Sequence, residues 1–470
     1  MAGQQILDDA SMEQFRFNFR GDLIRPGEPD YDRARLVSNG LIDRTPALIA
    51  RCTGTADVAA AVNFARERGL LVAVRGGGHS VAGFSTCDDG IVIDLSRMRG
   101  VRVDPASATA RAQGGATWGD FDRETQVFGL ATPGGVVSTT GIGGLTTGGG
   151  FGMLSPKHGL SCDNVISADV VTADGQVLVA NERENADLFW GLRGGGGNFG
   201  IVTSFEFRLH PVRELHIGLI LHPPEVGLEL LRFYRDYALE APADLALLGV
   251  FMTVPAEPPM PIFPPELLGK KVVAFLGAWP GPAEEAEKAF QPLRNFGTPA
   301  FELVLPMPYT MVQQIQDEDS PFGSYWYWKS AYVKELPNEL LELLASRAPT
   351  APSPGTQVMV TRLGGAISEV PEDATAFPLR DAGYFVQMDS TWTDAADTEE
   401  NIAWTRDLHE AVSPFAMDRV YVNFIGDEGA DRVAKAYGPE KYARLVALKK
   451  KYDPNNLFRM NQNINPNGGA

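Results

Sequence analysis

Four glycine clusters interrupt the first half of this 470-residue chain, and one of them ends in a histidine. Arg75-Gly76-Gly77-Gly78-His79-Ser80 comes directly after the apolar run LLVAV at 70–74. AQGGATWGD spans 112–120, GGVVSTTGIGGLTTGGGFG spans 134–152, and LRGGGGNFG spans 192–200. A residue without Cβ lets the backbone approach another group closely, and successive amides in such loops converge on an anion. The first cluster can therefore form a nest for a pyrophosphate at the end of a strand. Residues 141–152 can form a second wall, with backbone against a flat ring system. By residue type alone, a histidine after three glycines reads as a phosphate contact or a turn residue.

The competing reading of such glycines is the dinucleotide fingerprint G-x-G-x-x-G between a strand and a helix, with an acidic residue about 20 positions on. Residues 141–149 stand in loop-like sequence, and the segment NVISADVVTADG beyond them is strand-like. That reading is disfavoured. The six histidines show no metal-ligand spacing, so no metal is expected.

The elements that must carry these loops can be read from periodicity. PALIARC (46–52) is a short apolar run, and Thr55 is placed to cap a helix with Val58, Val62 and Ala65 on one face. Gly69 stands in its C′ position. GIVIDLS (90–96) reads as a strand, completing a small α/β unit. Residues 201–209 alternate as a strand. Beyond His210, HIGLILH, VVAFLGAW, SYWYWKSAYV, TQVMVTRLGG and GYFVQMDSTW read as strands of a largely antiparallel sheet. PAEEAEKAFQPLRNF and PNELLELLASRA read as helices between them. A last basic helix stops at Asp453-Pro454, and Phe458, Met460 and Ile464 predict that the tail packs back onto the body.

Composition narrows the class. The chain is long enough for two or three domains. Its formal net charge of −18 argues against nucleic acid as a partner. Acidic residues near the start replace the basic, apolar pattern of a leader, and no apolar stretch is long enough to span a membrane. Three separated cysteines give no disulfide framework. A cytoplasmic protein, monomer or homodimer, is expected.

Taken together, VRGGGHSVAGFS, GGVVSTTGIGGLTTGGGFG, KHGLSCDNVISADVVTADG, DLFWGLRGGGGNFGIVT and KYDPNNLFRMNQNI resemble the berberine-bridge-enzyme-like oxidases of the vanillyl-alcohol-oxidase/PCMH flavoprotein superfamily. The resemblance runs over residues 44–465. It implies an α+β fold: a two-part PCMH-type FAD-binding domain plus an antiparallel-sheet substrate domain backed by helices. The expected boundaries are an N-terminal segment at 1–43, the FAD domain at 44–212, the substrate domain at 213–415, and a segment at 416–470 returning to the FAD domain.

The resemblance implies FAD held by a single covalent 8α-histidyl link to His79. Val137 replaces the cysteine that carries a second link in many relatives, and Cys162 is then a buried small hydrophobe. Arg75, Gly76, Gly77, Gly78, Ser80, Gly83, Thr139, Thr140, Gly141, Gly144, Leu145, Gly149, Gly152, Gly200, Val202, Asn461 and Asn463 are the further cofactor-binding positions implied. His158 stands where relatives often carry tyrosine and reads as structural. The family's Y-x-N motif falls on Tyr421-Val422-Asn423, which makes Tyr421 the expected base, with Asn423 beside it. A tyrosine of pKa near 10 needs help to work as one.

On the substrate strands, Tyr325, Tyr327 and Lys329 oppose Trp326 and Trp328, so only one set can line a pocket. Phe385, Gln387, Asp389 and Thr391 likewise oppose Tyr384, Val386, Met388 and Ser390. Tyr325, Gln387 and Asp389 are the expected substrate contacts. The implied reaction is oxidation of a C–H bond next to oxygen or nitrogen in a small, aromatic or polyketide-like molecule, with O2 as the partner oxidant. Alternatives are a flavin oxygenase and a non-catalytic flavin-binding protein.

Overall fold

Short apolar runs separated by one helix build the first layer. In this computed structural model, which describes residues 7–258, 262–318 and 321–468, β1 (Asp22–Ile24), β2 (Leu48–Arg51), β3 (Val72–Arg75) and β4 (Ile91–Asp94) form a sheet in the order β1-β2-β4-β3. Residues 1–6 of the amino-terminal segment lie outside the described residues. Both β2 and β3 run parallel to β4, and every side chain of β4 is buried, as in a strand covered on both faces. The helix Thr55–Arg68 packs Val58, Ala61, Val62 and Ala65 into this core. Its N-cap is Gly54 rather than Thr55, which opens the helix. The side chain serving that end is Asp57, which accepts from the N–H of Thr53 at 2.8 Å and of Arg20 at 2.9 Å. Gly69 closes the helix at φ 62°, a left-handed turn that suits glycine.

The second layer comes next in the chain. Its strands are β5 (Val101–Asp104), β6 (Thr109–Gln113), β7 (Leu130–Ala131), β8 (Val165–Val171), β9 (Val177–Asn181), β10 (Ile201–Arg208) and β11 (His210–Pro211). Five make an antiparallel sheet, β5-β6-β10-β8-β9, while β7 pairs with β11. Trp118 and Phe121, from the helix Trp118–Gln126, fill its core; Phe121 meets Phe207 of β10 edge-on at 5.3 Å. The glycine cluster read as loop contains a short helix, Ile142–Thr147. Buried Ile142 and a bond from the Thr147 hydroxyl to Gly143 O at 3.0 Å hold that turn despite the poor helix propensity of glycine.

The third layer is one antiparallel sheet of seven strands: β12 (Glu214–His222), β13 (Ala246–Thr253), β14 (Lys271–Trp279), β15 (Phe301–Pro308), β16 (Tyr325–Val333), β17 (Gln357–Arg362) and β18 (Tyr384–Trp392). They stand in the order β15-β12-β14-β13-β17-β18-β16. One face, including Val358, Val360, Val386 and Met388, is sealed by Leu230, Leu231, Phe290, Leu341, Leu344 and Leu408 from four covering helices. The opposite face turns toward the first two layers.

The chain then returns. The helix Pro439–Tyr452 ends before Asp453, and the tail beyond it packs Phe458 and Ile464 into the cores of the first and second layers. Lys449, with no exposed side-chain surface, donates to Asp453 Oδ2 at 2.7 Å, Phe458 O at 2.8 Å and Asn198 O at 2.8 Å. Asp453, equally buried, accepts from the N–H groups of Leu457 and Phe458, both at 2.8 Å. Removing one member leaves the other charge buried and unpaired. Asp453→Ala should therefore lower unfolding free energy by about 3–5 kcal/mol, seen as a large fall in the thermal midpoint; a melt matching the parent would show that the pair does not anchor the tail.

Candidate active site

All three layers contribute to one cavity of roughly 440 Å³. Val72 and Val74 of β3, Val202 and Phe205 of β10, and Met359, Gln387 and Asp389 of β17 and β18 line it. Between them stand the glycine loops. Gly77 and Gly141 meet backbone to backbone: a Cβ on Gly77 would lie 2.2 Å from Gly141 N. That contact joins the loop after β3 to the wall of the second layer. Gly144 and Gly197 also line the cavity, and a Cβ on either would meet no protein atom within 4 Å. The space before these amides is open to a ligand. Asn461 adds a buried Oδ1 without a protein partner. Converging amides, an apolar floor and an unpaired acceptor fit an elongated dinucleotide with a flat ring, as FAD is.

Of the positions singled out by sequence, Gly76, Gly77, Gly78, His79, Ser80, Thr140, Gly141, Gly144, Leu145, Gly152, Gly200, Val202, Asn461, Tyr421, Asn423, Gln387 and Asp389 line this cavity. Six do not. Arg75 is a structural cation: its guanidinium bonds the buried carboxylate of Asp94 at 2.5 Å and the carbonyls of Ala34 and Leu36. Gly83, at φ 74°, packs on Ile42. Gly149, at φ 129°, has no room for a side chain, since a Cβ there would lie 2.6 Å from the Phe377 ring. Asn463 lies in the tail beyond the lining, its Oδ1 buried without a partner. Thr139 reaches the site only through His79. Tyr325 stands on the wrong face of its strand, a consequence of how β16 pairs with β18.

His79 Nε2 lies 2.9 Å from Thr139 Oγ1, and its ring is 5.6 Å from that of Trp326. Burial pushes its pKa down to about 4, so the imidazole is neutral at ordinary pH. Val137 lines the same cavity, whereas Cys162 is buried outside it in an apolar cluster. His158 is also outside the lining; it stacks on His210 at 3.8 Å, a structural pairing.

Tyr421 is buried among Phe151, Phe377, Phe385 and Phe424. Its hydroxyl oxygen accepts from Gly150 N and from Asn423 Nδ2, both at 3.0 Å. Those bonds favour phenolate, but burial outweighs them and raises the pKa well above its ordinary value. In these surroundings Tyr421 holds its proton, the opposite of the help a tyrosine base needs. Asn423 also donates to Leu145 O at 3.1 Å, tying the short glycine-rich helix to the tyrosine.

The register of the third layer decides which strand faces matter. Trp328 of β16 and Gln357 of β17 both stand opposite Asp389 of β18, so these three share the cavity face. Tyr325 and Tyr327 pair with Trp392 and Ser390 on the helix-covered face, and Tyr327 bonds Arg406 of the helix Thr398–Val412. Thr361 Oγ1 donates to Gln387 Oε1 at 3.3 Å, and Gln387 Nε2 donates to Asp389 Oδ2 at 3.4 Å. Asp389 Oδ1 is buried with no protein partner. Burial pushes the Asp389 carboxyl up to about 8.

The sequence offered Trp328 only as part of the alternative strand face and did not mark Thr361, Gln462 or Asn39. Trp326 and Trp328 stack at 5.1 Å, and Trp328 continues onto Phe424 at 5.4 Å. Asn39 is buried and exchanges two bonds of 3.1 Å with the backbone of Trp326, while Ser38 N donates to Gly78 O at 3.1 Å. The segment thus straps the His79 loop to β16. Alternation along SYWYWKS signalled two faces; nothing local marked Asn39.

Among the described residues no helix is long and apolar enough to cross a membrane, and no group of three or more His, Cys, Asp or Glu is placed to hold a metal. Two family profiles match the chain: "FAD binding domain" over residues 46–181 and "Berberine and berberine like" over 420–465. An FAD-linked oxidoreductase of Dictyostelium discoideum is 32% identical over 97% of this chain and 97% of its own. The (R)-6-hydroxynicotine oxidase of Paenarthrobacter nicotinovorans is 32% identical over 96% of this chain and 98% of its own. A crystal structure of 6-hydroxy-D-nicotine oxidase from Arthrobacter nicotinovorans, 29% identical, superposes with a TM-score of 0.85, covering 95% of this chain and 98% of that one. The cradle of backbone amides, the tail that closes it and these full-length likenesses place the chain in the berberine-bridge-enzyme-like family of FAD-linked oxidoreductases.

Proposed function

We propose that this protein oxidises a C–H bond next to oxygen or nitrogen in a small, hydroxylated aromatic or polyketide-like molecule, with the flavin on His79. The observation that carries the reading is the unpaired carboxyl oxygen of Asp389 on the cavity that His79 and the glycine loops also line. Held in this cradle, FAD would supply the hydride acceptor, with O2 as the terminal oxidant and H2O2 as its product. Everything else is done by side chains. Trp328, Phe385 and Phe424 offer an aromatic wall for a flat substrate. Asp389 takes the substrate's second proton, a task suited to a group that titrates near working pH. Gln387 and Thr361 orient it. Tyr421 already accepts two N–H bonds, so what its hydroxyl has left to give is its own proton, as a hydrogen-bond donor.

His79 offers one nitrogen for a covalent link, since Nε2 is engaged by Thr139. Val137 leaves no thiol for a second one. The purified chain, precipitated with acid, should keep its yellow colour and a mass gain of one FAD, and His79→Ala should lose both. Flavin released from the parent protein would remove the covalent link from this reading.

Proton removal by Asp389 requires the carboxylate, the form that prevails above about pH 8. Anaerobic flavin bleaching by a substrate found in an aerobic H2O2 screen should therefore speed up about tenfold per pH unit below 8 and level off above it. Asp389→Asn should flatten that limb and slow bleaching by about 10²–10⁴-fold. A variant that bleaches at the parent rate would exclude Asp389 as the base. Tyr421→Phe should slow bleaching without removing the pH limb, because Tyr421 does not supply the titrating group.

A further inference from the structure

Thr139 lies just outside the cavity, is exposed, and makes one side-chain contact of consequence, the 2.9 Å bond to His79 Nε2. Its backbone is held from two sides. Gly119 N donates to Ser138 O at 2.8 Å, Trp118 N to Thr140 O at 3.0 Å, and Thr140 N to Val137 O at 3.1 Å. From the third layer, Asp317 accepts from Ser138 N at 2.7 Å and from Ser138 Oγ at 2.5 Å. The Gly77–Gly141 contact then fixes how far the histidine loop stands from this segment. The backbone that carries the threonine hydroxyl is thus fixed, and that hydroxyl meets one edge of the imidazole.

A neutral imidazole carries one N–H and one lone pair, and the partner of one nitrogen decides the tautomer. An Nε2–H donating to Thr139 Oγ1 leaves the lone pair on Nδ1. We propose that Thr139 is the positioning residue for flavin attachment at His79: it holds Nε2–H, presents Nδ1 as the nucleophile, and passes the Nε2 proton to solvent. The proposal rests on the reading that His79 carries the flavin covalently. In the net step a C–H bond of the flavin 8α-methyl group and the Nε2–H bond break, and a bond forms between that carbon and Nδ1. The two electrons and two protons released end on O2 as H2O2.

The test uses the full chain purified from flavin-limited cells and incubated with FAD in air, with acid-stable flavin followed by intact mass. Thr139→Val should bind FAD yet attach it about tenfold more slowly, the cost of one orienting hydrogen bond. Thr139→Ser should attach at close to the parent rate, and digestion should place the link on Nδ1. Attachment by Thr139→Val at the parent rate, or a link on Nε2, would overturn the proposal and leave the His79 reading intact. Should Thr139→Val fail to bind FAD, Thr139→Ala, which only shortens an exposed side chain, is judged by the same two rates. A parent chain with no acid-stable flavin would overturn both.

Discussion

The site depends on a contact too close for side chains. Gly77 and Gly141 touch through their backbones, and a Cβ on either would fall within 2.3 Å of the other's amide nitrogen. No residue but glycine allows two chain segments this near. The contact sets the distance between the first sheet, whose β3 runs into the His79 loop, and the antiparallel sheet whose layer carries the short glycine-rich helix. Because it is made of main chain, it has no rotamers to change, and both loops keep their amides turned toward the cavity. His79 reaches Thr139, and Val137 and Leu145 take their places on the wall, because this spacing holds.

The third layer completes the site by a different principle. An antiparallel strand has two faces, and once the helices seal one with Val358, Val360, Val386 and Met388, the other is committed to the cavity. Trp328, Gln387 and Asp389 then stand together without any loop to position them. Rigid strands suit a group that must meet a substrate hydrogen accurately. The strap through Ser38 and Asn39 ties this sheet to the His79 loop, and Asp317 ties it to Ser138. The two halves of the site are therefore joined by hydrogen bonds as well as by shared apolar surface.

Burial acts unequally on the two candidate bases. Tyr421 and Asp389 both line the cavity and both are raised by desolvation. For a phenol already near 10 the shift moves the charged form out of reach, whereas for a carboxyl it brings titration to about 8, close to working conditions. One physical cause thus moves both groups the same way from different starting points. The same desolvation keeps His79 neutral.

The sequence alone determined what local chemistry can determine. Clustered glycines announced close backbone approach, alternation in SYWYWKS and GYFVQMDSTW announced two-faced strands, and the basic helix with its apolar tail announced a return to the body. The ordered set of glycine motifs carried the resemblance to the family, and with it FAD. Only the tertiary structure decided matters that depend on partners distant in the chain. Arg75, beside the glycine loop in sequence, is turned away by Asp94, and Gly83 and Gly149 serve packing against Ile42 and Phe377. The register of β16 on β18 put the tryptophans rather than Tyr325 at the cavity. Whether Tyr421 or Asp389 can hold a charge is a question of desolvation, which is the sum of everything packed around a group and has no signature in the residues next to it.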